Sequence, residues 1–159
     1  MKSAAVLSLL GFFVICFAAA GIGSWFTAQS VSGWYTNIIK PDWTPPNWLF
    51  GPVWTLLYAL MAISGWLIWR LRDEFDVRFI LGIFLLQLIL NVAWSGLFFG
   101  AQRIGAGAVE VVILWLSIAA YMILSWPVSQ TASLLFAPYL IWVGYASALN
   151  ISIYFLNRA

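Results

Sequence analysis

Residues 111–157, VVILWLSIAAYMILSWPVSQTASLLFAPYLIWVGYASALNISIYFLN, contain no Asp, Glu, Lys or Arg. A membrane-crossing helix needs roughly 20 apolar residues at about 1.5 Å each, so this run is long enough for two. Ser125-Trp126-Pro127-Val128-Ser129-Gln130-Thr131 divides it, because proline breaks a helix and the polar residues around it favour a turn. Outward from this run, charge-free windows recur at 79–102, 43–69 and 3–39, each holding one span. The expected fold is therefore all-α: an integral membrane bundle of five transmembrane helices, about 4–26, 47–70, 78–100, 105–126 and 131–155. It forms a single domain over residues 1–159, with a long ordered loop, about 27–46, between the first two helices.

Composition agrees. Of the 159 residues, 64% are hydrophobic and 8% charged, where a soluble domain is about a quarter charged. That excludes a water-soluble globule, and it excludes disorder, which needs low hydrophobicity and high charge. A net charge of +2 argues against nucleic acid as a partner. The chain has no histidine, and Cys16 is its only cysteine. No metal-ligand set, intrachain disulfide, phosphate-binding loop or catalytic triad can be assembled, so neither metal nor cofactor is expected.

The first helix has a rival reading as a secretory signal, with Lys2, an apolar run and the small residues Ala18-Ala19-Ala20. The run continues through Gly21-Ile22-Gly23 to Trp25-Phe26, which favours a retained span. Lys2, Arg70, Arg72 and Arg78 lie on the N-terminal side of a five-helix bundle, and Lys40, Arg103 and Arg158 on the other. This is a weak bias toward a cytoplasmic N-terminus.

The loop at 27–46 is too long and too patterned to be a mere connection. Ser32 is expected to cap a short turn carrying Trp34, Tyr35, Ile38 and Ile39, which Lys40-Pro41 would end. Trp43 and the stiff pair Pro45-Pro46 lead into the second helix. Two readings stand: an interfacial aromatic belt, or a rigid lid over the mouth of the bundle.

Helical spacing sets three stripes. Phe50, Trp54 and Tyr58 share a face of the second helix. Gln87, Asn91, Trp94 and Phe98 share one on the third, and Tyr139, Trp142, Ala146 and Asn150 one on the fifth. Amides are costly in hydrocarbon, so these faces turn inward. Amides can simply bond neighbouring helices, but three stripes that each combine aromatics with an amide or phenol describe an aromatic cavity with few polar groups. Such a cavity suits a flat, largely apolar ligand. Glu110, about one turn into the fourth helix, is expected to snorkel to the interface or meet Arg103. Gly96-Leu97-Phe98-Phe99-Gly100 is a GxxxG segment permitting close helix contact, within the bundle or between protomers.

These residues resemble the translocator protein or tryptophan-rich sensory protein (TspO/MBR) family over nearly the whole chain. The likeness is carried by Trp34-Tyr35, Lys40-Pro41, Trp43, Pro45-Pro46, Phe50, Gly51-Pro52, Trp54 and Tyr58. It continues in Asn91 with Trp94, Phe98-Phe99-Gly100-Ala101, Pro138-Tyr139-Leu140 with Trp142, and Ala146 with Leu149-Asn150. The resemblance implies a five-helix bundle, commonly a homodimer, whose first long loop closes a ligand pocket. It implies binding of porphyrins and of benzodiazepine-type or isoquinoline drugs, and of cholesterol in eukaryotic members. Carried over residue by residue, the pocket comprises Trp43, Phe50, Trp54, Tyr58, Asn91, Trp94, Phe98, Trp142, Ala146 and Asn150. The family's sterol signature has a loose counterpart in Leu149, Tyr154 and Arg158. Asp42 stands where some members carry tryptophan, and Ala106 lies near where others do. Short termini point to a bacterial member in the cell membrane; a eukaryotic one would sit in the mitochondrial outer membrane.

The resulting expectation is a membrane receptor or sensor for a tetrapyrrole such as protoporphyrin IX, with lipid around it. A homodimer through Gly96 and Gly100 is expected. Alternatives are a transporter of porphyrin or sterol-like ligands, a light-dependent porphyrin-degrading protein, and a helical scaffold. Any enzymatic activity would be light- and oxygen-dependent, with Trp54 and Trp142 as the oxidisable residues.

Overall fold

The computed structural model describes residues 2–158, with side chains from residue 4 onward. The side chain of Lys2, used above for orientation, therefore lies outside the described residues. Helix α1 (Lys2–Ser30) is followed by the short α2 (Trp34–Asn37), then α3 (Asn47–Arg70) and α4 (Arg78–Ser95). The latter continues as a π-helical turn, Gly96–Gly100. Next come α5 (Ile104–Ser125), the short α6 (Gln130–Leu134) and α7 (Ala137–Leu156). Five segments are long and apolar enough to cross a membrane: Ala4–Ser30, Asn47–Arg70, Arg78–Gly100, Ile104–Ser125 and Gln130–Leu156. The protein is thus a multi-pass integral membrane bundle.

Around the bundle, α1 packs between α3 and α4, α4 against α5, and α5 against α7. The seam between α3 and α7 is closed by rings, Phe50 edge-on to Trp142 and Trp54 edge-on to Tyr139. Helix α1 is the outermost, with Val6, Leu7, Leu10, Val14 and Ile22 exposed, as lipid contact allows.

Three boundaries correct the expectation. Helix α1 runs through Thr27–Ser30, because polar residues there return to the backbone: Thr27 Oγ1 donates to the Gly23 carbonyl at 3.0 Å. Ser30 Oγ donates to the Phe99 carbonyl at 2.6 Å, pinning the helix end to the bundle. The change from apolar to polar residues therefore does not mark the helix end, and the loop shortens to 31–46. The N-cap of α2 is Gly33 rather than Ser32; Thr36 donates to the Gly33 carbonyl from both its backbone N (3.2 Å) and its Oγ1 (2.6 Å). The last span is broken at Leu135-Phe136, since Pro138 lies in the first turn of α7 and has no N–H to continue the ladder from α6.

Only three residues, Ala101–Arg103, join the π-helical turn to α5, and Gln102 turns the chain at a φ of 55°. On the opposite side, the 71–77 loop carries Asp76, which accepts from Arg78 Nε at 2.9 Å and Nη2 at 3.0 Å. These bonds hold its carboxyl below the usual carboxylate range.

Candidate ligand-binding site

A cavity of about 540 Å³ lies beneath the 31–46 loop, between α1, α3 and α4. Its aromatic walls are Phe50 and Trp54 from α3, Trp94 and Phe99 from α4 and the turn after it, and Tyr35 from the loop. Helix α1 supplies the remaining wall with Phe17, Gly21, Ser24 and Ala28. These α1 residues are exposed, as are Asn47, Gly51 and Thr55 facing them from α3, so the cavity's flank opens sideways toward lipid.

The deep end is polar and tied. Tyr58 Oη donates to Asn91 Oδ1 at 2.7 Å, and Asn91 Nδ2 donates to Tyr139 Oη at 2.7 Å. One amide thus joins α3, α4 and α7 where an unpaired polar group would be costly. Its second N–H and second lone pair leave Asn91 capacity for a ligand.

A second, much smaller space of about 20 Å³ lies behind the first. Tyr35, Phe50, Trp94 and Phe99 line both cavities and form the partition. Phe98, Trp142, Ala146 and Asn150 line only the smaller one. The π-helical turn shapes the partition: its wider turn lets consecutive Phe98 and Phe99 both be buried, Phe99 between the two cavities and Phe98 against the smaller one alone. Trp94 Nε1 donates to Asn150 Oδ1 at 3.0 Å, and Asn150 Nδ2 to the Ile104 carbonyl at 3.0 Å, so Asn150 also secures the start of α5. The buried indole N–H of Trp142 has no partner among the described residues.

The loop is an ordered lid. Trp34 packs edge-on against Phe98, and Tyr35 is buried against Phe98 and Phe99. Burial pushes the Tyr35 hydroxyl up to about 12, with Tyr145 adding to the shift. The Lys40 ammonium lies over the Tyr35 ring and donates to the carbonyls of Tyr35 at 2.6 Å and Ile38 at 3.0 Å, closing the end of α2. Its charge is committed to the lid's own backbone. Thr44 donates back to the Pro41 carbonyl from its backbone N (3.0 Å) and Oγ1 (2.7 Å), and Pro45-Pro46 lead stiffly into α3. Trp43 lines neither cavity; its ring meets Tyr145 edge-on, and its carbonyl accepts from Tyr145 Oη at 2.6 Å.

Of the residues expected at one pocket, Phe50, Trp54, Tyr58, Asn91 and Trp94 converge on the large cavity, while Phe98, Trp142, Ala146 and Asn150 stand behind the partition. Trp54 and Trp142 therefore do not share a cavity. The contribution of α1 was missed, because small residues in an apolar run read as packing. Gly96 and Gly100, expected at a partner, face Phe26 of the same chain; a Cβ on Gly100 would lie 2.7 Å from that ring. Leu149 is buried beside the small cavity while Tyr154 and Arg158 are exposed, so the three sterol-motif residues do not share one face. Glu110 neither snorkels nor meets Arg103: it is buried, and its carboxylate has no partner among the described residues. Gly107, one turn earlier and close against Phe98 and Asn150, brings α5 so near its neighbours that the Glu110 face is covered. The Gln87 amide is likewise buried and unpartnered among the described residues.

A five-helix membrane protein with a proline-stiffened lid over an aromatic cavity is the class defined by this fold and site. The TspO/MBR family model matches residues 12–156, and the chain belongs to that family. It is 47% identical over 152 residues to the tryptophan-rich protein TspO of Archaeoglobus fulgidus, covering 96% of this chain and 95% of that one. The tryptophan-rich protein TspO of Chlorobaculum tepidum is 43% identical over 150 residues, covering 90% and 91%. The human translocator protein is 36% identical over 131 residues, covering 81% and 78%.

Proposed function

We propose that the protein is a membrane receptor or sensor that binds a flat, largely apolar aromatic molecule under the lid, a tetrapyrrole such as protoporphyrin IX. The observation that carries this reading is the cavity of about 540 Å³ walled by Phe50, Trp54, Trp94 and Phe99, with Asn91 as its polar anchor. That volume falls among ligand pockets of about 300–1,000 Å³, and ring faces suit a planar π-system. Benzodiazepine-type and isoquinoline molecules are flat and apolar enough for the same walls. The open flank between α1 and α3 gives membrane-dissolved ligands a route in.

Relatives carry the names translocator protein and tryptophan-rich sensory protein, which match a transporter and a sensor respectively. Receptor is favoured here because the cavity ends at Tyr58 and Asn91 and the bundle beyond them is closely packed. Any loss of bound porphyrin is expected to be slow and to require both light and oxygen; of the two tryptophans expected to be oxidised, Trp54 and Trp142, only Trp54 lines the large cavity. The proposed location is the bacterial cell membrane. The proposed assembly is a homodimer, with the exposed apolar face of α1 as its contact, since Phe26 occupies Gly96 and Gly100.

A porphyrin titration of the detergent-solubilised protein, followed by tryptophan fluorescence, tests the binding reading. Saturable quenching supports it and unsaturable quenching contradicts it. Porphyrin flux across sealed vesicles would replace receptor by transporter.

A further inference from the structure

Among the described residues, two side chains, Tyr145 of α7 and Asn157 at its C-cap, tie the run of the lid between α2 and Pro45 to that helix. Asn157 ends that helix, with its backbone N–H donating to the carbonyls of Ile153 at 3.1 Å and Tyr154 at 3.3 Å. Its side-chain Nδ2 donates to the Ile153 carbonyl at 2.8 Å, which fixes the plane of the amide. The same Nδ2 donates to the Ile39 carbonyl at 2.8 Å, and Oδ1 accepts from the Ile39 N–H at 3.0 Å. One side chain thus satisfies both backbone groups of one lid residue, as an adjacent strand would. Among side chains of this length, only asparagine offers a donor pair and an acceptor side by side. The second contact is Tyr145 Oη on the Trp43 carbonyl at 2.6 Å. Along α7 the two residues are about 18 Å apart at 1.5 Å per residue, so the segment from Ile39 to Trp43 is strung along the helix. Apolar contact there comes from Ile38, which packs against the core, whereas Ile39, Asp42 and Trp43 are exposed, so Ile39 itself is held by its hydrogen bonds.

We propose that Asn157 is a positioning residue that sets how long the lid stays docked, and hence how fast ligand exchanges with the cavity, without touching the ligand. The inference rests on the binding role proposed above. Tyr145 acts as the second latch on the same segment.

Asn157→Asp tests it. The shape is kept and the bond from Ile39 N–H survives, but both donors are lost and a carboxylate faces the Ile39 carbonyl. In ligand-free protein in lipid nanodiscs, amide hydrogen exchange over residues 38–43 should accelerate tenfold or more, while α3, α4 and α5 exchange as in wild type. With protoporphyrin IX in stopped flow, association and dissociation should both quicken several-fold, their ratio changing less than either. Tyr145→Phe should quicken exchange around Trp43 and add to the effect of Asn157→Asp. Unchanged exchange over residues 38–43 in Asn157→Asp overturns the latch. Faster exchange there with unaltered porphyrin kinetics overturns its control of ligand exchange. A wild-type protein that binds no porphyrin defeats the proposed function and the kinetic half of this inference with it, while exchange at Ile39 still decides the latch.

Discussion

The two halves of the bundle use the same residue types and reach opposite results. In the half away from the lid, Phe84, Tyr121 and Phe136 are fully buried, with the Tyr121 and Phe136 ring centroids 4.1 Å apart. Ser64 Oγ donates to the Ala132 carbonyl at 2.6 Å, so the Tyr121 hydroxyl, 2.8 Å away, donates to Ser64. Gly65 lets Phe12 and Phe84 nest against α3; a Cβ there would lie 2.8 Å from both rings. Under the lid, Phe50, Trp54, Trp94 and Phe99 stand around open space. Small residues make the difference by where they point. Gly65 faces rings and removes volume between helices, whereas Gly21 and Gly51 face the cavity, with nothing within 4 Å of an added Cβ.

This contrast is most easily broken by truncating one ring in each half. Phe136→Ala should cost about 3–5 kcal/mol of stability, seen as a large fall in the melting temperature in detergent, because close-packed neighbours cannot fill the void. Trp54→Ala should cost less than Phe136→Ala, since its ring borders the cavity on one side and keeps only Tyr58 and Tyr139 on the other. Equal losses at the two sites would show that the halves are packed alike.

Binding should invert that order. Trp54→Ala is expected to weaken porphyrin affinity about tenfold, or about 1.4 kcal/mol, while Phe136→Ala leaves the affinity of the folded fraction unchanged. Trp142→Phe, behind the partition, should change affinity less than threefold, or about 0.6 kcal/mol. A tenfold loss in Trp142→Phe would mean that ligand enters the smaller cavity.

The smallest effect concerns the lid's own anchor. Tyr35 titrates at about 12 in the folded protein against an ordinary 10.0, so the folded state holds its proton more tightly. Its contribution is fully present below pH 10 and is lost as pH rises toward 12. The protection factor of the lid amides, corrected for the intrinsic exchange rate, should fall over that window in wild type and much less in Tyr35→Phe. Identical pH profiles would detach lid docking from the Tyr35 hydroxyl.

Much of this organisation was legible from where charge is missing. The spans at 47–70 and 78–100 are found at those bounds, and α5 at Ile104–Ser125 lies one residue from expectation at each end. Charges and proline bracket these segments, and both act locally. The lid was legible because prolines and aromatics cluster where a simple connection needs neither. The α1 wall was not, since Gly21, Ser24 and Ala28 read alike whether they face a helix, lipid or a cavity. Nor was the π-helical turn, which depends on how Phe98 and Phe99 share space with α1, α7 and the lid rather than on any local signal. The partner of Gly96 and Gly100 was equally hidden: a GxxxG segment announces close approach without saying to what, and Phe26 lies far away in sequence.

The most direct test of the cavity as the ligand site is to fill it without disturbing the packing. Gly21→Leu and Gly51→Leu place side chains in open space and replace glycine by a better helix former, so stability should hold or rise. Protoporphyrin IX affinity of the double variant, measured beside its melting temperature, should fall more than tenfold with the melting temperature unchanged or higher. Wild-type affinity in a folded double variant would contradict the assignment and place the ligand outside this cavity.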